Sequence, residues 1–382
     1  MQRSQMLRSG ASRSVSRPVL ARATAPASPM AHLLDAGVLP QQQMMQAGKL
    51  SSHALTSQYL ARIRSLCSIG ARAYPGIEIN PDALKIALEM DRERQVRKVR
   101  GPLHGIPIVL RDNIATGDRM KTRTQAPLAM HASCDSFVAA RLRAAGAVII
   151  GKSNLRQWAA VSVPHASASW AGLTILAVDS AADGAIVAPA SNCGLVAIKP
   201  TGRAAGGQGG EPAIAGPMAP SVREAAWLFA ALSGERLADG VVLDAAGLHG
   251  RHIGVARSLF GLCAGTDAVI GQALLVLREQ GAELVELPCA TGPGGIDALL
   301  HLHGLDALVG PTCHGVAQPQ SDLPHITVPA GVVGGLPVGL SFIGPAHGDM
   351  PLIAMAYAYE QATLHRRTPA LPSSITLALG RP

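Results

Sequence analysis

Two short apolar runs do most to limit what this chain can fold into. Ile106–Leu110 and Ala147–Ile150 are continuous, with no polar residue at alternate positions. A strand with one wet face alternates, whereas a strand covered on both faces does not. Helical patterns follow at Asp135–Ala145 and Ser153–Ala160. Further strands are expected at His252–Ala256, Glu283–Leu287, Ala307–Val309, Ile326–Val328 and Val338–Ile343. Helices are expected at Ser221–Leu232, where Ser221 and Glu224 have capping-box spacing, at Thr266–Gln280 and at Pro351–Leu364. Buried strands alternating with helices predict an α/β architecture around a largely buried mixed sheet. Apolar residues make up 48% of the chain and aromatics only 3%, so Ala, Leu, Val and Ile must do most of the packing. The 382 residues fit one large domain or two ordinary ones.

Upstream of the first run the texture is helical. Ser51 and Ser52 stand where an N-cap belongs, and Leu55, Tyr59, Leu60 and Ile63 mark one face. A second helix is expected after Pro81-Asp82, with Leu84, Ile86, Leu88 and Met90 partly buried. It ends in the charge run Asp91–Arg100, read as a solvated face.

The net charge of +8 suggests nucleic acid until its source is located. Residues 1–28 hold five arginines, six serines and no acid, and without those five charges +8 falls to +3. No nucleic-acid partner is therefore expected. The leader has no continuous apolar core of the secretory kind. Its composition fits a mitochondrial or chloroplast transit peptide, or else a disordered basic tail on a cytoplasmic protein. No run of eighteen apolar residues exists, so no membrane span is expected. The six cysteines form no CxxC pair and no histidine lies at zinc-finger spacing; reduced, mostly buried thiols are expected, and no metal.

Four blocks then take the reading further. Ile77–Ala87 reads IEINPDALKIA. Gly101–Asn154 opens with GPLHGIPIVLRDN and contains VAARLRAAGAVIIGKSN. Asp183–Thr201 reads DGAIVAPASNCGLVAIKPT and is followed by GPMAPSVREAA. The last comprises DALVGP and ITVPAGVVGGLPVGLSFIG. In content and order these blocks resemble the amidase signature family. The resemblance implies a single α/β domain over residues 30–382 with a central mixed β-sheet covered by helices. It also implies shortenings near 170–183 and 287–300, where the family carries more chain. No cofactor is implied.

Family amidases break carbon–nitrogen bonds with a serine nucleophile, a bridging serine and a neutral lysine base. The lysine position falls on Arg111, whose guanidinium stays protonated at physiological pH. The nucleophile position falls on Ala185, which has no hydroxyl, and the oxyanion turn on Ala182, Asp183 and Gly184. The Gly/Ser-rich loop that would carry the bridging serine is absent between Ser169-Trp170 and Asp183. Ser167, Ser169, Ser180 and Ser191 are read as turn or loop hydroxyls, Lys152 as structural, and His104, His165 and His314 as structural or surface residues.

The expectation is a homologue that does not hydrolyse amides and binds a small amide or a protein partner. A protein partner or a second copy would cover the surface exposed by the shortening. The alternative is an amidase acting on a small-molecule carboxamide, its sequence here incomplete. A third reading, the glutaminase-like subunit of an organellar tRNA amidotransferase, needs the same triad.

Overall fold

The computed structural model describes residues 33–68, 77–123, 129–153, 176–180, 186–202, 215–234, 243–289, 295–312 and 323–367. Among the described residues, eleven strands form one sheet. In chain order they are β1 (Ile77–Ile79), β2 (Pro107–Arg111), β5 (Val148–Ser153), β6 (Leu176–Ser180), β7 (Val196–Lys199), β8 (Ala215–Ala219), β9 (His252–Ala256), β10 (Glu283–Leu287), β11 (Ala307–Pro311), β12 (His325–Val333) and β13 (Leu336–Ile343). Their spatial order is β1-β5-β2-β6-β8-β7-β12-β13-β11-β9-β10, and β3 (Lys121–Arg123) pairs separately with β4 (Ala129–His131). The large sheet is mixed: β5, β2 and β6 run parallel, as do β11, β9 and β10, and an antiparallel block lies between. The expected α/β architecture with a central mixed sheet is therefore present.

Helices cover the sheet: α1 (Val38–Gln46), α2 (Ser52–Ser68), α3 (Ala83–Gln95), α4 (Phe137–Ala144), α5 (Val187–Asn192), α6 (Val222–Ser233), α7 (Ala264–Glu279), α8 (Gly295–Leu302) and α9 (Asp349–Thr363). In α2, Leu55, Tyr59, Leu60 and Ile63 are buried as their spacing predicts, and the Ser51 hydroxyl accepts from the Ala54 amide. In α3, Ala83, Ala87 and Met90 are buried and Leu84 and Ile86 partly buried as expected, while Leu88 is exposed. Ser153 ends β5 and starts no helix; the rest of the helix expected at 153–160 lies outside the described residues.

The capping box at α6 forms only in part. Ser221 accepts from the Glu224 amide, but the Glu224 carboxylate accepts from the Val38 amide at the start of α1 and from the Ser221 hydroxyl. A capping side chain thus fastens the N-terminal helices onto the sheet-covering helix α6. Glu360 on α9 makes the corresponding bond from the other side, accepting from the Val222 amide at 2.8 Å.

Burial pushes the Glu360 carboxyl up to about 7, helped by the nearby Glu224 and opposed by the Val222 amide. An acid whose folded value is raised stabilises the fold while protonated, so this contribution is whole below about pH 4.5 and is lost as pH climbs through 7. Glu360→Gln keeps an acceptor for Val222 without the charge. It should raise unfolding free energy at pH 8 by on the order of 2–3 kcal/mol and flatten the decline between about pH 5 and 8 in urea titrations. An unchanged slope would mean another group governs that window.

The cysteines differ from expectation. Cys193 is buried and its thiol is pushed up to about 12 by burial, but Cys134, Cys263 and Cys289 are exposed. Among the described residues no helix is long and apolar enough to cross a membrane.

Candidate functional site

The site begins where β2 ends. Its run Pro107–Leu110 is fully buried, which drives the strand into the middle of the sheet and delivers Arg111 to the edge of the core. On one side β5 sets Leu110 beside Lys152 and Arg111 beside Ser153; on the other, β6 sets Leu110 beside Val178. The next residue of β6 is Asp179. Arg111 Nη1 donates to Asp179 Oδ1 at 2.9 Å, joining the two parallel strands by an ion pair. The Asp179 side chain is fully buried and that of Arg111 is 13% exposed. Removing one member of such a pair takes a counter-charge from its buried neighbour, so the two residues depend on each other.

Lys152 is no substitute for a base at this site. Successive strand residues face opposite sides, so Lys152 shares its face with Leu110, and Arg111 shares its face with Ser153. The Lys152 ammonium donates to Thr122 Oγ1 at 2.9 Å on the far side of the sheet. Burial lowers it to about 8, against the pull of Asp118, Glu78, Asp112 and Asp135. A lysine of that kind has the acidity a base needs but the wrong position.

Ala182, Asp183, Gly184 and Ala185 lie outside the described residues, as do Ser167, Ser169, His165 and His314. The elements on either side are described: β6 ends at Ser180, and the chain resumes at Ile186, the N-cap of α5. The nucleophile and oxyanion positions therefore fall in the short stretch of sequence between β6 and α5, beginning three residues after Asp179. Ser191 is buried on α5. His104 is fully buried, its Nε2 is 3.0 Å from the Met90 carbonyl, and burial pushes its pKa down, which favours the neutral ring. That is a core histidine, as expected.

A second polar chain crosses the sheet at β12 and β13. His325 Nε2 lies 2.8 Å from Ser341 Oγ, which lies 2.8 Å from Thr312 Oγ1, itself 2.7 Å from Thr327 Oγ1. His325 pairs in register with Lys199, whose Nζ donates to the Leu323 carbonyl at 2.8 Å. These groups satisfy one another inside the sheet. A cavity of about 330 Å³ lies between α5, α7 and the β12–β13 hairpin, lined by residues such as Asn192, Cys263, Leu336 and Pro337. The strand registers put Pro337 beside Val332, at the opposite end of β12 from His325 and thus away from Arg111. Among the described residues no group of three His, Cys, Asp or Glu side chains is placed to hold a metal ion.

Asp179 is the one residue of this site that sequence reading misses. A single acid in the short apolar stretch Leu176–Ser180 signals a buried partner, but its identity depends on a register that the sequence does not supply.

Comparison with known proteins bears on the family and the fold. A family model described as Amidase matches residues 54–169. A putative amidase of Arthroderma benhamiae is 33% identical over 281 residues, covering 60% of this chain and 47% of that protein. A glutamyl-tRNA(Gln) amidotransferase subunit from a Synechococcus strain is 31% identical over 300 residues, covering 66% of this chain and 61% of its own. Among solved structures, the native peptide amidase from Stenotrophomonas maltophilia superposes with a TM-score of 0.76 at 31% identity, over 88% of this chain and 99% of that one. This chain belongs to the amidase signature family. It spans roughly half the length of the first curated relatives, 47% and 40%.

Proposed function

We propose that this chain is an amidase-family member that does not hydrolyse carbon–nitrogen bonds and serves as a binding or structural subunit. The Arg111–Asp179 ion pair carries the reading. The position assigned to the neutral base holds a permanent cation, fixed by a buried counter-ion, and cannot accept the first proton of the reaction. The sequence adds two further losses, the missing hydroxyl at Ala185 and the missing loop for the bridging serine. Loss of a triad member costs on the order of 10⁴- to 10⁶-fold in turnover, and losses within one catalytic unit do not add simply.

A small amide held near positions 182–185, or a protein partner or second copy over the shortened region, fits a subunit of this kind. The basic leader supports an organellar location, mitochondrion or chloroplast. The names borne by the relatives favour a second reading, a hydrolase of small-molecule carboxamides, and a glutaminase-type subunit would need the same triad. One experiment separates both from the first. The purified full chain should release no ammonia from peptide amides or glutamine and should take up no fluorophosphonate probe. Labelling mapped to any serine near Arg111 would overturn the reading.

A further inference from the structure

We infer that Asp179 is a positioning residue that fixes the charge state at position 111. It would keep even a lysine there protonated and unable to act as a base. The inference rests on reading Arg111 as the occupant of the family's lysine position.

A lysine acts as a base only when its surroundings discharge it, through burial or neighbouring cations. At the end of β2 burial is available, since Arg111 is only 13% exposed. On its own that environment would lower a lysine there, as burial lowers Lys152 to about 8 on the other face of the same strands. Asp179 opposes it. Its carboxylate is fully buried and lies 2.9 Å from the Arg111 guanidinium. The β2–β6 register holds it there, because Leu110 and Val178 are paired one residue earlier. An opposite charge at this distance typically shifts a titration by about 10- to 1,000-fold toward the charged form. A buried carboxylate with no cation opposite it would itself be costly, so position 111 and position 179 constrain each other. The inability to generate a base therefore resides in two strands rather than in one side chain.

The test is the titration of a lysine introduced at position 111 in the otherwise intact chain. Arg111→Lys retains the ion pair, and the Cε resonance of the new side chain reports its proton equilibrium. It is followed with ¹³C-labelled lysine and assigned by difference from the unaltered chain. The introduced lysine should titrate well above the value of about 8 to which burial lowers Lys152 on the opposite face. Adding Asp179→Asn should weaken its proton binding by about 10- to 1,000-fold. Titration of the introduced lysine at or below about 8 with Asp179 present, or the same titration in both variants, would overturn the inference. If the double variant does not fold, the single variant decides the matter. Amide hydrolysis by the unaltered chain would overturn the inactive reading of the family site and leave this titration untouched, so the two failures are distinguishable.

Discussion

Restoring both missing side chains, Arg111→Lys with Ala185→Ser, will leave amide turnover at least about 10⁴-fold below that of a triad-bearing relative. Two obstacles remain in the double variant. On the function proposed above, the new serine needs a bridging hydroxyl to pass its proton to the lysine, and the stretch before Asp183 has no Gly/Ser-rich loop to carry it. The new lysine sits against Asp179, which holds it as an ammonium ion. Ammonia release from a peptide amide, measured for the double variant and for a triple variant that adds Asp179→Asn, checks both. A small gain in the triple variant alone would place part of the block at Asp179. Full turnover in the double variant would show that another serine takes the bridging role and that the paired carboxylate is no obstacle.

Asp349→Ala will cost about 3 kcal/mol of stability, a large loss for a single side chain outside the site. Asp349 opens α9 and is 7% exposed. Its two oxygens accept from the Thr201 amide at 2.9 Å and from the Thr201 hydroxyl at 2.6 Å, and the same hydroxyl accepts from the His347 amide at 3.0 Å. One carboxylate thus ties the closing helix to the chain just beyond β7, at the level of Lys199. Hydrogen bonds to a charged acceptor contribute about 1.5–3 kcal/mol each, and alanine would also strand a buried amide. Asp349→Asn keeps one good acceptor and should lose about half as much. Chemical denaturation of both variants measures the difference. Equal losses would show that the negative charge, rather than the geometry of two acceptors, holds the helix down.

Much of the architecture was legible in the sequence for a simple reason. Strands buried on both faces read as unbroken apolar runs, as in Ile106–Leu110, and amphipathic helices such as α2 read as spaced apolar residues. β1, β6, β7 and β8 escaped, and β8, Ala215–Ala219, contains Gly216 and Pro217, which locally argue against a strand. Tertiary packing overrides that preference: Gly216 pairs with Asp179, and a side chain at its place would meet the Ile198 carbonyl at 2.6 Å. The exposed Leu88 shows a different limit: the residues expected to be partly buried in α3 lie two apart, a spacing that spreads round a helix rather than marking one face. At the site, sequence identified the charge at Arg111 but not its counter-ion. The partners are 68 residues apart, and only the sheet order brings them together.

The two outer strands of the large sheet have a consequence for how copies of this chain meet. β1 is three residues long, and β10 carries Glu283 and Glu286, with Glu286 held by Arg257 and facing Arg278. A strand from another molecule pairing along β10 would have to dehydrate those carboxylates and disturb their arginines, and β1 offers too few amides to repay such an approach. Among the described residues, neither outer strand favours growth of the sheet from chain to chain.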